Sequence, residues 1–337
     1  MQLLTLPIKN IKAETPDSKS YHFYLPNNIQ YQAGQFITLI VELNGKEQRR
    51  SYSLCSAPGI DDEFCITIKR VQNGAISRYL FDRLKVGDTL LALPPAGRFT
   101  IQQQVHTYFF IAAGSGIIPV FSLVKQLLHK QAASKVVLVY QNHNERQAIF
   151  RNQLLQLRQT FPQNFELIEL FSQPIDHTLH QRLNNYLLER IVLEQVHTSS
   201  VLFYICGPRA FMLMSQFTLR VMGYKEEQIK KENFVIDHLP ATPFITNTSP
   251  HKVIIHYGGD SFRLTVAYPQ NILEAALQNN IQLPYSCRAG RCSTCMATCI
   301  KGKVKMSYNE VLTESDLQKG LILTCVGYAE TDVELVF

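Results

Sequence analysis

The chain has 337 residues, too many for one ordinary domain, so two or three domains are expected. With 46% hydrophobic and 18% charged residues, each can bury its own core, which excludes gross disorder. The net charge of +6 comes with no Lys/Arg run longer than two, so no nucleic-acid footprint is expected. "MQLLTLPIKNIKAET" does not read as a secretory leader, and no run approaches the ~18 apolar residues of a membrane span. A cytoplasmic protein without membrane insertion is the expectation.

Residues 1–103 read as short strands: "SYHFYLP", "QFITLIVEL", "RRSYSLCS", "EFCITIKRV" and "DTLLALP", rich in β-branched and aromatic residues. Strands at this spacing predict a small antiparallel β-barrel. One helix is predicted from near Ser77 through "RYLFDRLK" to Gly87. The strand "RRSYSL" can present a cation for phosphate, a ring for stacking and a small hydroxyl donor. "NGAIS", a Gly-containing turn into a helix N-terminus, can cradle phosphate.

Residues 104–238 change character. Apolar strands ("HTYFFIAAG", "KVVLVYQN", "FELIELFS", "VLFYICG") alternate with helical patterns ("IIPVFSLVKQLLHK", "AIFRNQLLQLRQ", "NNYLLERIVLE", "PRAFMLMSQFTLRVMG"). That alternation predicts an α/β domain with a doubly wound parallel sheet. "AAGSGIIPV" follows its first strand, and Gly114, Ser115 and Gly116 would let a dinucleotide pyrophosphate approach the backbone. Pro119 suits the first turn of the helix that follows. Residues 239–250, "LPATPFITNTSP", hold three prolines, three threonines and no charge, and read as a linker. Residues 251–337 open with strands "KVIIHY" and "SFRLTV" about Gly258-Gly259, then a helix "QNILEAALQNN", then "PYSCRAGRCSTCMATC".

Eight cysteines are present, four of them between 287 and 299. In a reducing compartment such a cluster points to metal or redox chemistry rather than disulfides. From Cys287 the spacing is C-x4-C-x2-C, with 29 residues between Cys295 and Cys325. A structural zinc site uses two separated close pairs. Three close cysteines and a distant fourth match the plant-type 2Fe-2S spacing. The bacterial ferredoxin run wants two residues between its first cysteines and a proline after its last, where this chain has four and Ile300. "CMATCIKGKVK" reads as a strand that would carry Cys299 about 13 Å beyond Cys295. Cys287, Cys292, Cys295 and Cys325 are therefore the expected metal ligands, and Cys299 a packed thiol.

Together these motifs resemble the ferredoxin–NADP reductase superfamily, whose flavin motif reads Arg-x-Tyr-Ser and is followed by a phosphate-binding helix. The resemblance implies that Arg50 pairs with the FAD pyrophosphate, Tyr52 covers the isoalloxazine and Ser53 hydrogen-bonds near N5. It implies that Gly74, Ile76 and Ser77 cap the phosphates, with Ala75 where relatives often have a second glycine. "PPAGRF" (Pro94 to Phe99) resembles the P-x-G-x-F segment at the end of the family's barrel. In the nucleotide domain, "YICGP" implies Cys206 beside the nicotinamide, with Gly207 and Pro208 after it. "KENFVID" implies Glu232 and Phe234 near the flavin, and Ile118 stands where the family usually has threonine. Ser53, Tyr52 and Cys206 are thus the residues expected at the reacting atoms. Arg146 or Arg151, after the second strand, could meet the 2′-phosphate of NADPH, which leaves NADH or NADPH open.

The order of flavin domain, nucleotide domain and plant-type ferredoxin domain resembles the reductase components of bacterial multicomponent oxygenases, phenylacetyl-CoA epoxidase and ketosteroid hydroxylase reductases among them. This implies an NAD(P)H-dependent oxidoreductase that feeds an oxygenase or hydroxylase component and is monomeric when free. NAD(P)H gives electrons in pairs and an iron–sulfur cluster takes one at a time, so a flavin between them divides the pair. A stand-alone flavin, ferric or quinone reductase, or a 2Fe-2S carrier without enzymatic activity, are the alternatives.

Overall fold

A computed structural model describes residues 3–24, 29–43, 45–131, 134–175, 180–234 and 248–337. Of the segment read as a linker, 239–247 lie outside the described residues.

Apolar residues at every second position drive the first sheet. Strands β1 (Leu4–Thr15), β2 (Ser18–Tyr24), β3 (Phe36–Leu43), β4 (Lys46–Ser53), β5 (Glu63–Lys69) and β6 (Thr89–Ala96) pair antiparallel in the order β4-β3-β6-β1-β2-β5. Leu6, Ile8, Tyr21, Phe23, Ile37, Leu39, Phe64 and Ile66 fill the interior. The two outer strands meet where Leu54 bridges Ile66 and the Cys55 N–H donates to the Cys65 carbonyl at 2.9 Å, which closes the barrel. Helix α1 (Ala75–Arg83) buries Ile76 and Leu80 against it. It stops short of the expected Gly87, because Leu84 is extended and the Lys85 N–H donates to Asp88 Oδ2 at 2.7 Å in a turn.

In the second domain, β7 (Thr107–Ala113), β8 (Lys135–Asn142), β9 (Phe165–Phe171), β10 (Val201–Cys206) and β11 (Ile229–Glu232) form a parallel sheet in the order β11-β10-β7-β8-β9. Every residue of β7 and β10 is buried, as expected when helices cover both faces. Helices α2 (Ile117–Lys130) and α3 (Arg151–Thr160) pack on one face, α4 (Asn185–Gln195) and α5 (Arg209–Val221) on the other. Helix α3 begins later than the apolar pattern suggested. Phe150 stacks on Phe121 with ring centroids 4.4 Å apart and takes a left-handed φ of 61°, which keeps it out of the helix. The chain leaves β7 towards β8 on one side and returns to β10 on the other. A topological switch point therefore lies at their carboxyl ends, where an α/β sheet opens a crevice.

The third domain holds β12 (His251–Tyr257), β13 (Asp260–Val266), β14 (Met296–Lys301), β16 (Leu321–Leu323) and β18 (Val333–Val336) in the order β13-β12-β18-β14-β16, with a separate pair β15 (Val304–Met306) and β17 (Gly327–Ala329). Helix α6 (Ile272–Gln278) buries Ile272, Leu273, Ala275 and Ala276 on the sheet, and α7 (Glu314–Gln318) precedes β16. Gly258 and Gly259 turn the first hairpin with φ of 64° and 90°, the pair of positive angles a tight hairpin turn needs. Among the described residues, no helix is long and apolar enough to cross a membrane.

Two glycines after β7 are required for different reasons. At Gly116 an added Cβ would lie 2.1 Å from the Cys206 carbonyl oxygen, an overlap that backbone must move to relieve. At Gly114 there is open space, but φ is 54°. Gly116→Ala is predicted to destabilise the protein by about 1–3 kcal/mol, and Gly114→Ala by about 1 kcal/mol from strain alone. Denaturant melts that ranked the two the other way would contradict this packing.

Candidate functional site

The loop between α6 and β14 carries Cys287, Cys292 and Cys295, and the turn after β16 brings Cys325 to them. The Cys287 N–H donates to Cys292 Sγ at 3.5 Å, and the Ala289 N–H donates to Cys287 Sγ at 3.4 Å. The Thr324 N–H and hydroxyl both donate to the Cys295 carbonyl, at 3.1 and 3.0 Å, which pins the distant cysteine to the loop. The thiols converge, Cys287 within bonding reach of Cys292 and Cys325, and Cys295 of Cys325. Hydrogen bonds from Cys292 and Cys325 pull the Cys287 thiol down, and one from Cys325 does the same to Cys295. The loop holds Arg288 and Ser293 at left-handed φ of 52° and 55°. At Gly290 any Cβ would lie 2.8 Å from the Tyr308 carbonyl oxygen. Such a backbone is retained where it turns N–H groups towards a ligand.

Cys299 sits on β14, with its thiol 3.3 Å from the Lys301 carbonyl and away from the other four. Among the described residues, no three His, Cys, Asp or Glu side chains are arranged to hold a single metal ion. A two-iron cluster does not need that arrangement, since each iron takes two of four sulfurs. The donor set fits a 2Fe-2S cluster.

On the barrel, β4 presents the flavin motif. Arg50 is exposed and donates to the Arg49 carbonyl at 2.7 Å, which leaves the rest of its guanidinium available. Tyr52 is half-buried, and burial pushes its phenol up. Ser53 is buried with an Oγ that has no protein partner, an orphan that a flavin nitrogen would satisfy. Helix α1 has no acidic residue in its first turn, so its N-terminus is open to an anion. Gly74 caps that helix, and a Cβ there would lie 2.4 Å from Ser77 Oγ. Two of the residues expected to contact phosphate are limited by their surroundings. The Ile76 side chain is packed in the barrel core, so only its backbone N–H can serve. The Ser77 hydroxyl is already engaged, donating to the Gly74 carbonyl and accepting from the Val71 N–H, both at 3.2 Å.

In the crevice of the parallel sheet, Gly114, Ser115 and Gly116 form one tight turn against Cys206 and Gly207. Cys206 is fully buried. Burial, and then the neighbouring Glu232 carboxyl, push its thiol well above the ordinary range. Cys206 and Glu232 are register partners across β10 and β11. Burial raises the Glu232 carboxyl to about 8, and its Oε2 has no partner. Pro208 caps α5, and Phe234 lies exposed just beyond β11. The Ile118 side chain is buried in the core, so nothing replaces the hydroxyl that relatives have there. Arg151 is engaged with Glu169 at 2.8 Å, whereas Arg146 stays exposed in the loop after β8.

The cysteine loop touches the flavin strand. Ser51 Oγ and Ser286 Oγ are 2.6 Å apart, and the Arg49 guanidinium lies 3.9 Å from the Tyr285 ring centroid. Residue 51 precedes Tyr52 and residue 286 precedes Cys287, so one hydrogen bond separates the two motifs. Sequence reasoning missed Arg49, Ser51, Tyr285 and Ser286. The serines are 235 residues apart, and no local pattern marks such a pair. A cavity of about 730 Å³ lies elsewhere, between the barrel and helices α2 and α3, and none of the motif residues lines it.

Three family models match in chain order: an oxidoreductase FAD-binding domain over 5–101, an oxidoreductase NAD-binding domain over 110–216, and a 2Fe-2S iron-sulfur cluster binding domain over 255–330. The chain is 30% identical to a component of the 1,2-phenylacetyl-CoA epoxidase of Escherichia coli, over 95% of this chain and 93% of that one. It is 31% identical to the 3-ketosteroid-9-alpha-monooxygenase ferredoxin reductase component of Rhodococcus rhodochrous, over 97% and 94%. Among solved structures, phthalate dioxygenase reductase shares the fold over 99% of this chain and 97% of its own, with a TM-score of 0.62 and 23% identity. With FAD-, NAD- and 2Fe-2S-binding domains in this order along its whole length, the chain belongs to the family of oxygenase reductase components that includes the phenylacetyl-CoA epoxidase and ketosteroid monooxygenase reductases.

Proposed function

We propose that this chain takes electron pairs from NADH or NADPH at the β7–β10 crevice and passes them singly, from the cysteine loop, to an oxygenase or hydroxylase component. The observation that carries this is the 2.6 Å contact between Ser51 and Ser286, which joins the flavin strand to the loop of four converging thiols. When bound, FAD supplies two-electron acceptance with one-electron release, and the cluster supplies one-electron transfer.

The protein's own part is positioning. Arg50 and the N-terminus of α1, with Gly74, Ile76 and Ser77 acting chiefly through backbone, would hold the FAD phosphates. Tyr52 would cover the ring and Ser53 would donate to it. Gly114, Ser115, Gly116, Gly207 and Pro208 would receive the nucleotide, with Cys206, Glu232 and Phe234 about the nicotinamide and flavin. Cys287, Cys292, Cys295 and Cys325 would hold the cluster. A monomeric free state in the cytoplasm belongs to the same proposal, since the cluster thiols stay reduced there.

Three measurements test these assignments. Cys325→Ser should lose the visible absorbance of the cluster while Cys299→Ser keeps it, and the reverse would reassign the fourth ligand. Ser53→Ala should retain FAD yet slow its reduction by NAD(P)H about tenfold or more, the effect of one lost donor at a reacting centre. An unchanged rate would remove Ser53 from the site. With Glu232 at about 8, its carboxyl is neutral below that pH and charged above it. Flavin reduction should therefore fall above that pH in the wild type and stay level in Glu232→Gln. A profile shared by both proteins would mean that another group titrates.

A further inference from the structure

The third domain meets the barrel at a second point, away from the serine contact. Arg98 Nη1 donates to Asp316 Oδ2 at 2.7 Å and Nη2 to Oδ1 at 2.9 Å, a two-point ion pair between residues 218 apart in sequence. We infer that Arg98 and Asp316 are positioning residues for electron transfer within the molecule: their ion pair holds the cysteine loop on the flavin strand.

Both partners are fixed to the elements that matter. Ala96, at the end of β6, pairs with Phe36, and Phe36 pairs with Ser53, so Arg98 leaves the barrel at the Ser53 end of the flavin strand. Gly97 makes this possible, with φ of 111° and the Phe36 ring 2.9 Å from where a Cβ would stand. Asp316 is buried and locked in a capping box. Its Oδ2 accepts from the Thr313 N–H and hydroxyl, each at 2.8 Å, so the carboxylate cannot swing to follow a displaced arginine. Helix α7 leads into β16, which pairs with β14 beside Cys295 and ends just before Cys325. Moving Asp316 therefore moves the frame that holds two of the cysteines.

The other contacts across this boundary are weaker. The Ser51–Ser286 bond joins neutral hydroxyls, and Arg49 meets Tyr285 through a cation–π stack. Asn233, just beyond β11, ties the second domain rather than the barrel to Glu310, at 3.2 Å. Among the described residues, the buried hydrophobic clusters of the barrel and of the third domain are separate. Residues 251–337 carry eight Lys/Arg and eight Asp/Glu, so bulk attraction does not hold them. A charge-assisted fork is the strongest bond of this set. Arg98 is a third exposed, so salt should weaken it. Burial opposes ionisation of Asp316, but the bonds from Arg98 and Thr313 prevail and hold it at about 2, so the pair persists at physiological pH.

The inference rests on the proposed electron route, and the electrons balance on it. One NAD(P)H gives two electrons. Two single crossings of this interface would carry them, the bound cluster accepting one electron at a time and the acceptor drawing it off before the next crossing. The hydride and one proton from solvent would reduce bound FAD, and its reoxidation would return two protons to solvent, a net release of one per NAD(P)H.

The test uses the full holoprotein in two readouts. Small-angle X-ray scattering of the oxidised protein without nicotinamide reads docking alone. Arg98→Ala should enlarge the radius of gyration in dilute salt, as about 1 M NaCl should for the wild type by cutting the screening length to about 3 Å. Arg98→Lys, which keeps the charge but not the fork, should fall between, and Asp316→Asn should resemble Arg98→Ala. Anaerobic rapid mixing with NAD(P)H then separates the steps. Arg98→Ala should keep flavin bleaching within about twofold and slow the following cluster reduction about tenfold or more. An unchanged radius together with unchanged cluster reduction in Arg98→Ala and Arg98→Lys would overturn the assignment. Wild-type flavin that neither nucleotide bleaches would instead overturn the electron route, leaving the scattering result to judge the latch.

Discussion

The constraint behind this architecture is contact between two motifs that lie far apart in sequence. Electrons pass efficiently only between centres held close, so the strand with Arg50, Tyr52 and Ser53 has to touch the loop with Cys287, Cys292 and Cys295. The single hydroxyl bond between Ser51 and Ser286 marks that contact. The barrel, the parallel sheet and the third domain each supply one surface to it. None could do so alone: the third domain folds around its own core, and the barrel and the parallel-sheet domain share part of theirs through Ala33, Cys55, Cys65 and Phe99.

Each surface sits where strands end and side chains or backbone groups are left without partners. The Ser53 hydroxyl at the end of β4 and Glu232 Oε2 at the end of β11 are buried polar atoms with no bond in the protein. Such groups cost stability unless a ligand completes them. Gly116 lets the turn after β7 press against Cys206, which brings the nucleotide loop to the same end of the sheet as Glu232. The neutral thiol of Cys206 and the carboxyl of Glu232, protonated at neutral pH, add little charge to this crevice. That suits a site where two ring systems must stack and exchange electrons rather than move a proton from a base.

Legibility in the sequence followed the range of the interaction. The cysteine loop was readable because three of its thiols lie within nine residues, and spacing alone separates two irons from one zinc. The parallel sheet was readable because burial on both faces leaves unbroken apolar runs. Periodicity placed α1 and α3 but misjudged their ends, where a side chain in the Lys85–Asp88 turn and the stacked Phe150 decide. The short strands after β14 and helix α7 gave no clear pattern, since three to five residues are too few for a period. Motif matching named Ile76 and Ser77 as phosphate contacts but could not tell that one side chain is buried and the other hydroxyl engaged. Arg98 and Asp316 were invisible. Each looks like an ordinary surface charge until the fold brings them together.

Electrons should pass in one order: nicotinamide, then flavin, then cluster. Anaerobic rapid mixing of the wild-type holoprotein with NADH or NADPH, followed across the visible spectrum, tests it most directly. The account predicts that flavin absorbance bleaches first and that cluster absorbance falls afterwards, as electrons leave the flavin. A cluster that dithionite reduces but the nicotinamide does not, or one reduced before the flavin, would contradict it.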